Sequence, residues 1–73
     1  MYYYHRLRDM REDHDLTQKE VAAHLQIDQR VYSNYETGKR QIPAHLLIEL
    51  AKFYNTSTDY LLGLTNETEP YKR

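Results

Sequence analysis

Cysteine and tryptophan are absent, and glycine and proline occur only twice each in 73 residues. Without cysteine there is no disulfide and no zinc–thiolate site, so the fold must rest on an apolar core, with dimerisation as a further source of burial. A domain of this size buries only about 60% of the surface its unfolded chain exposes, which demands a well-patterned core. Long apolar runs are missing as well. None approaches the roughly 18 residues of a membrane-spanning helix, and the mean hydropathy is −0.94. Charge of one sign is not in excess: ten Lys and Arg face eleven Asp and Glu, for a net charge of −1. Composition alone therefore carries no basic footprint of a nucleic-acid binder. The opening Met1-Tyr2-Tyr3-Tyr4 lacks the charged-then-apolar order of a secretory signal, so a cytoplasmic location is expected.

What is present is nine Leu, three Ile, two Val, one Phe and eight Tyr, arranged with a helical period almost throughout. The pattern predicts an all-α fold, a compact bundle of five short helices. Tyr3, Leu7 and Met10 mark the inner face of a first helix from about residue 3 to 13. Thr17-Gln18-Lys19-Glu20 is a capping box, and Val21, Ala22 and Leu25 follow as the stripe of a second helix. Asp28 is positioned to cap a third, with Val31 or Tyr32 turned inward together with Tyr35, and Gly38 stops it. Pro43 is expected at the first position of a fourth helix with Leu46, Leu47, Leu50, Ala51 and Tyr54 inward. Ser57 or Thr56 caps a short fifth helix that ends at Gly63. These elements predict one domain over residues 1–65 and a polar, frayed C-terminal tail over 66–73. Of Tyr2, Tyr3 and Tyr4, one ring is expected on the core and two in solvent.

Residues 18–35 carry the most information. With Gln18 as position one, apolar or aromatic residues fall at positions four, eight, ten, fifteen and eighteen: Val21, Leu25, Ile27, Tyr32 and Tyr35. Small Ala22 at position five lets one helix cross close over the next. This segment resembles the helix-turn-helix of Cro/Xre-family repressors. The resemblance extends from about Arg6 to Thr65, through LRDMREDHDLTQKEVA, YSNYETGKRQIP and LAKFYNTSTDYLLGLT. Asp15 and Gln26 stand where that family often has glycine. Asp28 stands where Ser or Thr is usual, bringing a negative charge toward the phosphates.

The resemblance implies a lambda-repressor-like fold that binds double-stranded DNA, with the third helix in the major groove. It assigns base reading to Gln29, Arg30 and Asn34, with Ser33 nearby. Arg30 has the chemistry to read guanine, and Gln29 or Asn34 to read adenine. Phosphates would be held by Gln18 at the start of the second helix, by Lys39 and Arg40 beyond Gly38, and by Lys19. It also implies a buried ion pair between Arg11 and Glu36, which would leave the reading face basic despite the overall charge. A repressor of this kind would occupy an inverted-repeat operator as a homodimer, paired through Tyr60, Leu61, Leu62 and Leu64, with one of these leucines in the core. A longer natural chain with its own oligomerisation domain is a further expectation left open.

Other chemistries find less support. His5, His14, His24 and His45 are never three or four apart, so no helical metal pair exists and neither metal nor cofactor is expected. Ser33, Ser57, the histidines and several Asp lack the glycines of a nucleophile elbow, so an enzyme is not expected. The rival reading is an antitoxin-like interaction module that neutralises a partner protein, a role small chains of this family also fill.

Overall fold

The computed structural model describes residues 3–70, and all regular structure among them is helical. The order is α1 (His5–Asp13), α2 (Gln18–Leu25), α3 (Gln29–Glu36), α4 (Ala44–Phe53) and α5 (Thr58–Leu61). Helices α2, α3 and α5 begin where a side chain satisfies free N–H groups, whereas α1 and α4 start without a side-chain cap. Thr17 and Glu20 form the capping box of α2, Asp28 accepts from the Arg30 N–H, and Ser57 accepts from the Tyr60 N–H. Helix α4 starts one residue later than expected. Pro43 is its extended flanking residue, at φ −64° and ψ 149°, and Ala44 opens the helix.

The helix ends share one device. Asp15, Gln26, Gly38, Asn55 and Gly63 all have left-handed backbone. After α1 the Asp15 N–H bonds to the Glu12 carbonyl and the Leu16 N–H to the Arg11 carbonyl. The same crossed pair follows Gln26, Asn55 and Gly63. This is the Schellman arrangement, which reverses the chain while satisfying carbonyls that would otherwise be orphaned. Asp15 and Gln26 are thus left-handed without glycine, and Asn55 joins them as a position the sequence reading did not anticipate.

The stripes meet in one core. Leu7 and Met10 of α1, Val21, Ala22 and Leu25 of α2, Tyr32 of α3 and the inner face of α4 are all buried, with Ile42 and Leu61 closing the ends. Tyr32 is the inward residue of α3, while Val31 is 37% exposed and Tyr35 is half-buried against the core. At the N-terminus the expectation shifts by one residue. Tyr3 precedes the helix and is 52% exposed, while Tyr4 packs on the core. The helix begins only at His5, so Tyr3 lies outside the helical period that would have turned it inward. Tyr2 lies outside the described residues.

The start of the C-terminal tail is tied down rather than frayed. The Arg6 guanidinium donates to the carbonyls of Tyr60 and Thr65 and to the Asn66 side chain, and it stands over the Tyr60 ring at 4.0 Å. The Thr56 hydroxyl donates to the Thr68 carbonyl. Residues 71–73 of the expected tail lie outside the described residues.

Candidate nucleic-acid interface

The turn between α2 and α3 is set by three residues. Gln26 reverses the chain at φ 58°, Ile27 packs on the core, and Asp28 caps α3 with its Oδ1 accepting the Arg30 N–H at 2.8 Å. Helix α3 packs against α2 and α1. Because Tyr32 and Glu36 are its buried residues, the helical period turns Arg30 and Asn34 to the outer side and Ser33 to the flank, while Gln29, on the stripe of Tyr32, reaches solvent as the first residue of the helix. Gln29 and Arg30 are exposed, and Ser33 and Asn34 are half-buried.

An open crevice on this side is lined by Gln18, Asp28, Gln29, Arg30 and Ser33. It joins the first residue of α2 to the first turn of α3. Asn34 does not line it. Its carbonyl instead accepts the Arg40 N–H at 3.1 Å, which folds the loop after α3 back onto the helix. Lys39 and Arg40 lie exposed in that loop, and Lys19 is exposed on α2. Gly38, at φ 84°, makes the loop's first turn, and a Cβ there would come within 2.9 Å of the Tyr3 Cβ. The loop with the two cations is therefore pressed against the N-terminal segment.

Below the crevice lies an ion pair. Arg11 Nε donates to Glu36 Oε2 and Arg11 Nη2 to Glu36 Oε1, both at 2.9 Å, the two-pronged geometry that favours arginine over lysine. The Glu36 side chain is 3% exposed and that of Arg11 14%. Arg11 also donates to the Leu16 carbonyl at 2.8 Å, locking the turn after α1. The pair thus ties α1, its following turn and α3 together.

Burial alone would raise the Glu36 carboxyl. The hydrogen bonds from Arg11 and the Gln18 amide, with the neighbouring Tyr32 hydroxyl and the Arg11 charge, outweigh burial and hold it below the usual carboxylate range. The Arg11 guanidinium is raised in turn, first by its hydrogen bond to Glu36. Tyr32 and Tyr54 are pushed above the ordinary tyrosine range, first by burial and then by Glu36. The Tyr32 hydroxyl lies beside Glu36 but outside hydrogen-bond geometry, and among the described residues neither tyrosine hydroxyl has a partner.

The contact missing from the sequence reading is a third donor to the same carboxylate: Gln18 Nε2 reaches Glu36 Oε1 at 3.3 Å. Gln18, expected at the phosphates from its place at the start of α2, thus has its side-chain amide partly engaged inward. No local pattern connects positions 18 and 36, so nothing in the sequence pointed to it.

The sequence profile of the helix-turn-helix family matches residues 7–61. The chain belongs to the helix-turn-helix family. It is 38% identical over 68 residues to the uncharacterized HTH-type transcriptional regulator YobD of Bacillus subtilis (strain 168), covering 93% of this chain and 61% of that protein. It is 45% identical over 58 residues to the HTH-type transcriptional regulator ImmR of the same organism, covering 80% and 46%. The crystal structure of a transcriptional regulator from Listeria innocua superposes with a TM-score of 0.75 at 28% identity, over 84% of this chain and 57% of that one. The chain thus spans about half to three fifths of the length of these relatives.

Within this helix-turn-helix domain, the four residues expected at a dimer interface separate by burial. Leu61 is 1% exposed and belongs to the core, so it offers no surface. Tyr60 lies half-buried under Arg6, Leu62 is half-buried against the core, and Leu64 is 73% exposed. Among the described residues no cluster of His, Asp and Glu is arranged to hold a metal ion, and no helix is long and apolar enough to cross a membrane.

Proposed function

We propose that this helix-turn-helix domain binds double-stranded DNA sequence-specifically and acts as a repressor, occupying an inverted-repeat operator as a homodimer. The reading rests on one observation above all. The crevice joins the start of α2 to the amino-terminal part of α3, and its lining offers Gln29, Arg30 and Ser33 together. Arg30 is the guanine reader and Gln29 the adenine reader, with Ser33 and Asn34 beside them. Gln18, Lys19, Lys39 and Arg40 hold the flanking phosphates.

Charge supports this assignment. Residues 28–41 contain three basic and two acidic side chains, and one of those acids, Glu36, is engaged by Arg11. Asp28 is then the one acid of that segment left to oppose Arg30, Lys39 and Arg40. Of the residues expected to pair two copies, Leu64 is exposed, with half-buried Leu62 and Tyr60 near it in the chain.

The test is selection from random duplex DNA at near-physiological salt, with sequencing of the bound pool. An inverted repeat with half-site centres about 34–36 Å apart is the expected result. Lack of enrichment even at low salt overturns the reading.

A further inference from the structure

A buried carboxylate is hydrogen-bonded to a residue that lines the crevice. Glu36 Oε1 accepts from two donors, Arg11 Nη2 at 2.9 Å and Gln18 Nε2 at 3.3 Å, while Oε2 takes Arg11 Nε. The three side chains come from three different helices. Glu36 is 3% exposed. Gln18 is half-buried and shares the crevice with Asp28, Gln29, Arg30 and Ser33.

A glutamine amide has a donor end and an acceptor end. Turned over, the Gln18 amide would set its oxygen against a carboxylate, acceptor against acceptor. The charge of Glu36 therefore selects one orientation, leaving the amide oxygen and one N–H for the crevice. Arg11 in turn fixes the carboxylate by gripping both of its oxygens. A flexible glutamine is ordered before any ligand arrives, and such ordering removes a cost from binding.

We propose that Glu36 is a positioning residue for DNA binding: held by Arg11, it orients the Gln18 amide at the mouth of the crevice, so that the buried ion pair sets DNA affinity as well as stability. This rests on the DNA-binding reading above. The contact is with the backbone, so the effect is uniform across sequences.

The experiment is a double-mutant cycle on the 73-residue chain. The ion pair is replaced by apolar residues of similar size, Arg11→Met with Glu36→Met, a change that folded domains often tolerate. It is made in the Gln18 background and in Gln18→Met. Affinity for the selected duplex is read by fluorescence anisotropy, with thermal melting to set a temperature at which every variant is folded. The expected result is a loss of about fivefold with Gln18 present, the size of one net hydrogen bond, and no further loss in Gln18→Met. Equal losses in the two backgrounds, or none in either, overturn the proposal.

A readout on the unaltered protein remains if the replaced pair does not fold. The side-chain NH2 of Gln18 should exchange with solvent more slowly than those of the exposed Gln29 and Gln41. Equal exchange overturns the proposal. If the unaltered protein enriches no duplex at all, the DNA-binding reading falls and carries this one with it. Binding by the unaltered protein with additive losses removes the positioning role alone.

Discussion

At the scale of single residues, the proposed function separates a base contact on α3, Arg30, from a phosphate contact in the loop that follows it, Lys39. Arg30→Ala should relax preference at one base position and weaken operator binding by about 1–3 kcal/mol. Lys39→Ala should weaken all sequences alike and reduce the salt slope by about one. Titrations of both variants over a range of salt and against single-base operator changes distinguish the two. If Arg30→Ala leaves base preference intact, α3 is not the reading helix. Asp28 invites the opposite change. Its carboxylate caps α3 but adds a negative charge to the crevice. Asn caps as well as Asp and is neutral. Asp28→Asn should therefore keep the melting temperature and tighten DNA binding by up to about 1 kcal/mol at low salt, a gain that shrinks as salt rises. Unchanged affinity would place Asp28 away from the phosphates.

At the scale of the element, the helix ends carry measurable strain. Gln26 is left-handed at φ 58°, a conformation that costs an ordinary residue about 1–2 kcal/mol. Glycine relieves that cost but loses about 0.5–1 kcal/mol of backbone entropy. Gln26→Gly should thus stabilise the domain by about 0.5–1 kcal/mol, visible as a higher urea midpoint with unchanged slope. The two glycines differ in what surrounds them. A Cβ on Gly63 would meet nothing within 4 Å, whereas one on Gly38 would strike the Tyr3 main chain at 3.0 Å. Gly38→Ala should accordingly cost more stability than Gly63→Ala in parallel denaturation, and equal costs would mean that the Tyr3 contact yields freely. The left-handed stops at Asp15 and Gln26 were legible in the sequence because the family pattern marks them. Asn55 was not, although Asn is the residue best suited to that conformation after glycine.

At the scale of the molecule, stability and pH meet at the Arg11–Glu36 pair. The folded Glu36 carboxyl titrates below its ordinary value of 4.5. The unfolded chain therefore takes up that proton first as pH falls. The pair's contribution is present above the ordinary value and is lost as pH falls through the folded one. Urea midpoints from pH 7 to 3 should drop more steeply for the unaltered protein than for the Arg11→Met, Glu36→Met variant. Matching acid slopes would mean that other carboxylates dominate. Truncating one partner differs from replacing both. Arg11→Ala strands a carboxylate that is 3% exposed and should cost about 3 kcal/mol or more.

The division between what was readable and what was not follows the range of the interactions. Helix type, the capping box of Thr17 and Glu20, the caps at Asp28 and Ser57 and the inward stripe of α4 all depend on residues two to four apart. A linear string displays these spacings directly. The choice between Tyr3 and Tyr4 as the inward ring depended on where α1 actually begins. The choice between Val31 and Tyr32 depended on how α3 lies over its neighbours. The Arg6 clamp joins residues 54–60 positions apart, and the Gln18–Glu36 contact joins residues 18 apart. Such contacts exist only once the helices have packed. The sequence by itself determined five amphipathic helices with their stops, and through them the family. Tertiary structure alone decided which polar groups share a carboxylate or an arginine, because a hydrogen bond is satisfied by whatever packing brings within about 3 Å, whatever the distance along the chain.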